Sequence, residues 1–150
     1  MNEIDFMLQD NFHEECGVFG VINVSNASEV LYYGLHALQH RGQEGCGILS
    51  TDGTEMFQLK GEGLVTEVFN ESNLSNLNGK IGIGHVRYST SGGGGIENVQ
   101  PFLFRHHTGD FGLCHNGNLV NSRELKRFLE NQGSIFQSTS DSEIFAHLIK

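Results

Sequence analysis

Glu14-Glu15-Cys16-Gly17-Val18-Phe19-Gly20-Val21 passes from two acids through a cysteine into an apolar run in which glycine alternates with bulky residues. Continued to Val24, that run predicts a buried strand with the thiol at its first residue. A thiol there stands at the mouth of a sheet. The plain alternative is a small packed cysteine, since free cysteine is among the most buried residue types. The residues alone leave both readings open.

Around that stretch, 150 residues with 37% hydrophobic content suffice for one domain with a real core. Twenty glycines against one proline leave tight turns and close backbone approaches to glycine. The formal charge of −9 and the lack of any Lys/Arg cluster exclude a nucleic-acid partner. Much of that acidity is local. Glu3, Asp5, Asp10, Glu14 and Glu15 precede Cys16 with no Lys or Arg among them, so removing residues 1–15 takes the charge from −9 to −4. This leader has neither a basic start nor a long apolar centre, and no stretch is long enough for a membrane helix, so a cytoplasmic protein without a membrane partner is expected. Cys16, Cys46 and Cys114 are an odd set at long irregular gaps, which predicts reduced thiols.

Along the chain, Asn26 and Glu29 fit a capping box for a helix with Ala27, Leu31, Leu35 and Leu38 on one face, ending near Gly42. Gly45–Ser50 and Glu55–Lys60 read as a strand pair turning at Asp52-Gly53, with Cys46 a small core residue. Leu64, Val65 and Val68 hint at a short helix before a loop over 72–78. Lys80–Thr90 reads as a strand running into the flexible tract Ser91–Gly95. Phe102–His106 and Asp110–His115 form another pair across Thr108-Gly109. Asn121/Glu124 and Ser140/Glu143 are two more capping boxes, the first opening a helix with Leu125, Phe128 and Leu129 inward and Gly133 as its stop. The last helix has no C-terminal stop signal, so a fold truncated at its C-terminal end is expected. Antiparallel strand pairs with helices after the first strand and at the end predict an α+β sandwich, not a doubly wound parallel sheet.

Several chemistries drop out. Neither HExxH nor His-x-His is present among the eight histidines, and the thiols lack CxxC spacing, so no metal site is expected. The glycine tract lacks the ending of a phosphate loop, and Gly82-Ile83-Gly84 lacks the third glycine of a dinucleotide turn. Cys114-His115-Asn116 cannot act as a thiol–imidazole pair, because consecutive strand residues point to opposite faces. What remains is Cys16, an arginine before a flexible loop, an Asn-Gly at a strand end and an aspartate at a helix start. These are the parts of a thiol amidase: a nucleophile, oxyanion donors, and charges to hold an amino acid by its carboxylate and its ammonium.

Six segments occur in order: Cys16-Gly-Val-Phe-Gly-Val, His40-Arg41-Gly42-Gln43-Glu44-Gly45, Gly84-His85-Val86-Arg87-Tyr88-Ser89-Thr90, Ile96-Glu97-Asn98-Val99-Gln100-Pro101-Phe102, His115-Asn116-Gly117-Asn118-Leu119 and Ser140-Asp141-Ser142-Glu143. Together they resemble the glutaminase domain of the glutamine phosphoribosylpyrophosphate amidotransferase family, which makes the first committed intermediate of purine synthesis. The resemblance covers residues 16–150. It implies an N-terminal-nucleophile hydrolase, a class II glutamine amidotransferase domain folded as a four-layer αββα sandwich of two antiparallel sheets between helices. It also implies that residues 1–15 are a propeptide cut before Cys16, whose freed α-amino group then serves as base.

Carried over motif by motif, the resemblance gives Cys16 as nucleophile and Asn116 and Gly117 as the oxyanion hole. Arg87 is then the clamp on the glutamine carboxylate and Asp141 the partner of its ammonium. Thr90 lies on a lid over substrate, and Arg41 holds the nucleophile's terminus. Glutamine and, in the full-length enzyme, phosphoribosylpyrophosphate are the implied partners, with a homo-oligomer likewise implied. Mg2+ and a 4Fe-4S cluster are implied only for a C-terminal part beyond residue 150; neither Cys46 nor Cys114 looks like a cluster ligand. Glucosamine-6-phosphate synthase and asparagine synthetase share the nucleophile but match His40–Gln43 and Arg87–Thr90 less well. A non-catalytic glutamine-binding module on the same fold also stays open.

Overall fold

A computed structural model describes residues 16–88 and 94–149. Thr90 and the proposed propeptide therefore lie outside the described residues. Strands β1 (Gly17–Val21), β2 (Gly45–Thr51), β3 (Met56–Glu62) and β4 (Ile81–Arg87) form one antiparallel sheet in the order β1-β4-β2-β3. Strands β5 (Phe102–Phe104) and β6 (Phe111–Leu113) pair as a second antiparallel sheet.

Period-two alternation gives the larger sheet two faces. One face takes helix α1 (Ala27–Ala37), whose Leu31 and Leu35 are wholly buried. They fit because β4 carries glycine beneath them: a methyl at Gly82 would stand 2.6 Å from Leu31, and one at Gly84 2.9 Å from Leu35. Cys46, Ile48 and Val86 from the sheet complete this core with Val65, Phe69, Leu74 and Leu77. Each such aliphatic burial contributes roughly 1.5–3 kcal/mol.

The opposite face carries the second sheet, again through bare positions. A methyl at Gly47 would overlap the Gln100 carbonyl oxygen, and one at Gly112 of β6 would overlap Leu49. From β3, Gln58 and Lys60 donate to the Pro101 and Val99 carbonyls at 2.7 Å each. On the far side of β6 the ring of His115 meets Phe145 of α5 (Glu143–Ile149) edge-on at 5.1 Å. Helix α4 (Ser122–Asn131) packs with α5. The layers thus run helix, sheet, sheet, helix, as expected for the αββα class.

Differences from the sequence reading are local. The Asp52-Gly53 turn forms as expected: Gly53 takes φ +97°, and Asp52 Oδ1 accepts from Thr54 N and Glu55 N at 2.8 and 2.9 Å. Those bonds, with one from the Thr54 hydroxyl, lower the Asp52 carboxyl to about 2. The three capping boxes do not form. Asn26 bonds the Glu29 side chain rather than a backbone N–H. Asn121 makes no side-chain cap, and Ser140 caps only Ser142 N, at 3.3 Å, while Glu143 turns back to residues 137 and 138. After α2 (Val65–Val68), the expected loop contains a further short helix, α3 (Glu71–Leu74). Asn70 and Asn73 cap each other there, each side chain accepting the other's N–H at 3.0 and 2.8 Å. An amide thus stands where the Ser/Glu pattern was sought.

Candidate active site

The β1–β4 register sets Gly17 across from Val86, which places Cys16 at the end of β4 beside Arg87 and Tyr88. The Cys16 thiol accepts the Tyr88 N–H at 3.3 Å and lies 3.6 Å from the Tyr88 carbonyl. Its own carbonyl accepts from Arg41 Nε and from Asn116 Nδ2, both at 3.0 Å. Residues 25 and 100 positions away therefore converge on the residue that bears the sulfur.

Arg41 reaches it because α1 ends in a 3-10 turn, Gln39–Arg41, held at Gly42. A side chain at Gly42 would collide with the Arg87 backbone at 2.6 Å, and Glu44 N–H donates to the Arg87 carbonyl at 3.1 Å. The His40–Gly45 segment thus fixes both Arg41 and the strand end that carries Arg87.

A cavity of about 670 Å³ opens at this point, lined among others by Cys16, Arg87, Asn116, Gly117 and Asp141. Five of the seven residues picked from sequence share one cavity, and Arg41 supports it through the Cys16 carbonyl. Arg87 is buried at its floor, 9% exposed. Asp141 lies ahead of α5 rather than in its first turn, and its Oδ2 accepts the Leu119 N–H at 2.5 Å. Cys114 and His115 follow β6 rather than lying in it, and their side chains diverge. The Cys114 sulfur turns toward the Gly84 carbonyl at 4.0 Å, and the His115 ring toward Ser142.

Burial raises the Cys46 thiol to about 12 and the Cys114 thiol to about 11, so near neutrality neither yields thiolate.

The sequence reading missed the polar residues behind the cavity. His85, on β4 two residues before Arg87, is wholly buried and lines the cavity, and neither of its ring nitrogens has a well-formed hydrogen bond. Burial first, then the neighbouring Arg87 charge, lowers its imidazole to about 4, the His115 main chain opposing weakly. The unfolded chain takes up that proton near 6.5, so between about pH 6.5 and 4 it binds more protons than the folded chain. Stability is therefore expected to fall through that window by roughly 3 kcal/mol and then level, whereas His85→Leu flattens this part of the curve. Urea unfolding across pH 4–8 measures both slopes; equal slopes would refute the assignment. Asn98, Gln100, Ser142 and Glu143 are the other missed residues, all buried. For Asn98 and Gln100 the sequence signal is a run of polar side chains interleaved with Val99 and Pro101.

Residues 85–150 match the family described as a glutamine amidotransferase domain. Over 139 residues, 92% of the chain, it is 61% identical to an amidophosphoribosyltransferase of Bacillus subtilis and 52% identical to one of Staphylococcus aureus strain Mu50. It spans only 29% and 28% of those relatives' own lengths. The solved glutamine phosphoribosylpyrophosphate amidotransferase of B. subtilis, complexed with ADP and GMP, superposes with a TM-score of 0.82 at 58% identity, covering 88% of this chain and 28% of that one. A structure described as the allosteric regulatory enzyme of purine biosynthesis gives 0.84 at 60%, covering 88% and 29%. Over about nine-tenths of its length the chain is thus similar, in sequence and in fold, to amidophosphoribosyltransferases, and its residues 85–150 match the glutamine amidotransferase domain.

Proposed function

We propose that this chain hydrolyses glutamine and that the ammonia is destined for phosphoribosylpyrophosphate. The supporting observation is the single cavity shared by Cys16, Arg87, Asn116, Gly117 and Asp141. In this reading residues 1–15 are removed, and the new α-amino group takes the thiol proton. Such an amine titrates at about 7.7–8.0, well placed for proton transfer both ways near neutrality. The thiolate attacks the glutamine carboxamide carbon, and Asn116 Nδ2–H and Gly117 N–H receive the developing oxyanion. The ammonium of Cys16 returns the proton to the leaving nitrogen, ammonia departs, and water cleaves the γ-glutamyl thioester to glutamate. Arg87 offers a planar fork to the substrate carboxylate, and Asp141 faces its ammonium.

Cys16 holds φ 24°, a conformation that costs a non-glycine residue about 1–3 kcal/mol. Cutting the bond before it would release that constraint, which favours cleavage there. The acceptor step, displacement of pyrophosphate from phosphoribosylpyrophosphate by ammonia to give phosphoribosylamine, would belong to the remainder of a full-length protein. That protein would work in the cytoplasm as a homo-oligomer. No helix among the described residues is long and apolar enough to cross a membrane. Three or more His, Cys, Asp or Glu side chains do not gather among them as ligands, and Mg2+ and an iron–sulfur cluster would belong to the remainder of a full-length protein.

The test is a glutamine-like alkylating analogue. It is expected to add its mass at Cys16 and leave Cys46 and Cys114 untouched. Glutamine binding without an adduct would instead mark a non-catalytic module. Arg87→Ala is expected to raise KM for glutamine about 10- to 100-fold, the worth of one charge-assisted contact, with a smaller change in kcat. A loss confined to kcat in steady-state assays would remove Arg87 from the carboxylate.

A further inference from the structure

Gln100 is 6% exposed and sits where the chain presses against Gly47. Its side chain meets the His115 backbone N–H at 2.7 Å and Ser142 Oγ at 3.3 Å. A backbone N–H only donates, so the atom facing it is the amide oxygen, and the amide nitrogen faces Ser142. Ser142, 2% exposed, lies 3.1 Å from His115 Nδ1. Its hydroxyl accepts from the Gln100 amide and keeps a second lone pair and its proton for Nδ1. Nε2 lies beneath Gly117, where a methyl would stand 2.7 Å from it. Three residues distant in sequence thus close one ring of hydrogen bonds.

Each end of the ring adjoins a group with a role in the proposed reaction. His115 precedes Asn116, and Ser142 follows Asp141. Buried side chains also hold the loop between α4 and α5. Asn98 Oδ1 accepts from Thr139 N and Oγ1 at 3.0 and 3.1 Å, and the Glu143 carboxylate accepts from Gln137 N and Ser138 N at 2.8 and 2.7 Å. Gln100 touches both that loop, at Ser142, and the segment leading into Asn116 and Gly117, at His115.

We infer that Gln100 is a positioning residue that sets the spacing between the oxyanion turn at Asn116-Gly117 and the ammonium partner Asp141. The inference rests on the glutaminase reading above, and its test separates the two. Gln100→Met keeps the volume but neither bonds His115 N–H nor donates to Ser142. For glutamine, kcat/KM is expected to fall about 10- to 100-fold, the effect of a misplacement near 1 Å. For 4-carbamoylbutanoate, which is glutamine without its amino group, the spacing to Asp141 has no consequence, and the loss is expected to stay within about 3-fold. Ser142→Ala should give the same split, and the double variant no more than the worse single. Equal losses on both substrates would overturn the inference, since a general structural defect would not distinguish them. If wild-type protein hydrolyses neither substrate, the glutaminase reading falls. The positioning is then judged by NMR of the whole chain. Gly117 and Leu119 amide resonances are expected to move together in Gln100→Met, and unmoved resonances would overturn it.

Discussion

Protein that still carries residues 1–15 is expected to release ammonia from glutamine about 10²- to 10⁴-fold more slowly than protein beginning at Cys16, the usual contribution of one positioned acid–base group. Before cleavage the Cys16 nitrogen is an amide and cannot take a proton. Other bases are poorly placed to substitute. His85 is neutral, but burial lowers it to about 4, and His115 Nδ1 faces Ser142. The two species can be separated and identified by mass, then assayed side by side for glutamate. Acetylating the α-amine of the shorter one should reproduce the slow rate. Equal rates before and after cleavage would remove the amine from the mechanism, whatever cuts the leader.

Asn116→Ala is expected to lower kcat by about 10²- to 10³-fold with little change in KM for glutamine, the pattern of a donor that acts on charge present only in the transition state. Asn116 also holds the Cys16 carbonyl at 3.0 Å, so the variant loses a contact that orients the nucleophile as well. Its side chain is exposed, and truncation should leave thermal stability within about 0.5 kcal/mol. A large rise in KM with kcat intact would move Asn116 from the oxyanion to ground-state binding.

Residues whose role depends on local pattern were legible in the sequence. The apolar run after Cys16, the Asp52-Gly53 turn, the pair around Thr108-Gly109 and the Leu31/Leu35 face all follow from periodicity and turn chemistry. Two helix starts were legible as well, Asn26 and Asn121 standing just before α1 and α4, but the capping bonds were not. Asn26 bonds the Glu29 side chain instead of a backbone N–H, and Glu143 is drawn to the N–H groups of Gln137 and Ser138. Tertiary demand there outweighed the local bond. The Cys16, Arg87, Asn116, Gly117 and Asp141 constellation came from the order of six short segments, since any one of them is an ordinary turn or strand end. Gln100, Ser142 and Asn98 lay within the quoted segments but their roles were not legible: their partners lie up to 42 residues away, and nothing in a polar residue's neighbours announces what it will meet across a fold.

The contact between Gly47 and the Gln100 carbonyl carries a consequence of its own. At that point two stretches of main chain rest directly on each other, so the gap between the layers is gauged by the polypeptide rather than by its fillings. Oily residues nearby can drift in size and change how firmly the domain holds together, yet the calliper keeps its setting. Any residue larger than hydrogen at position 47 would jam it open at the very segment from which the reactive turn is hung.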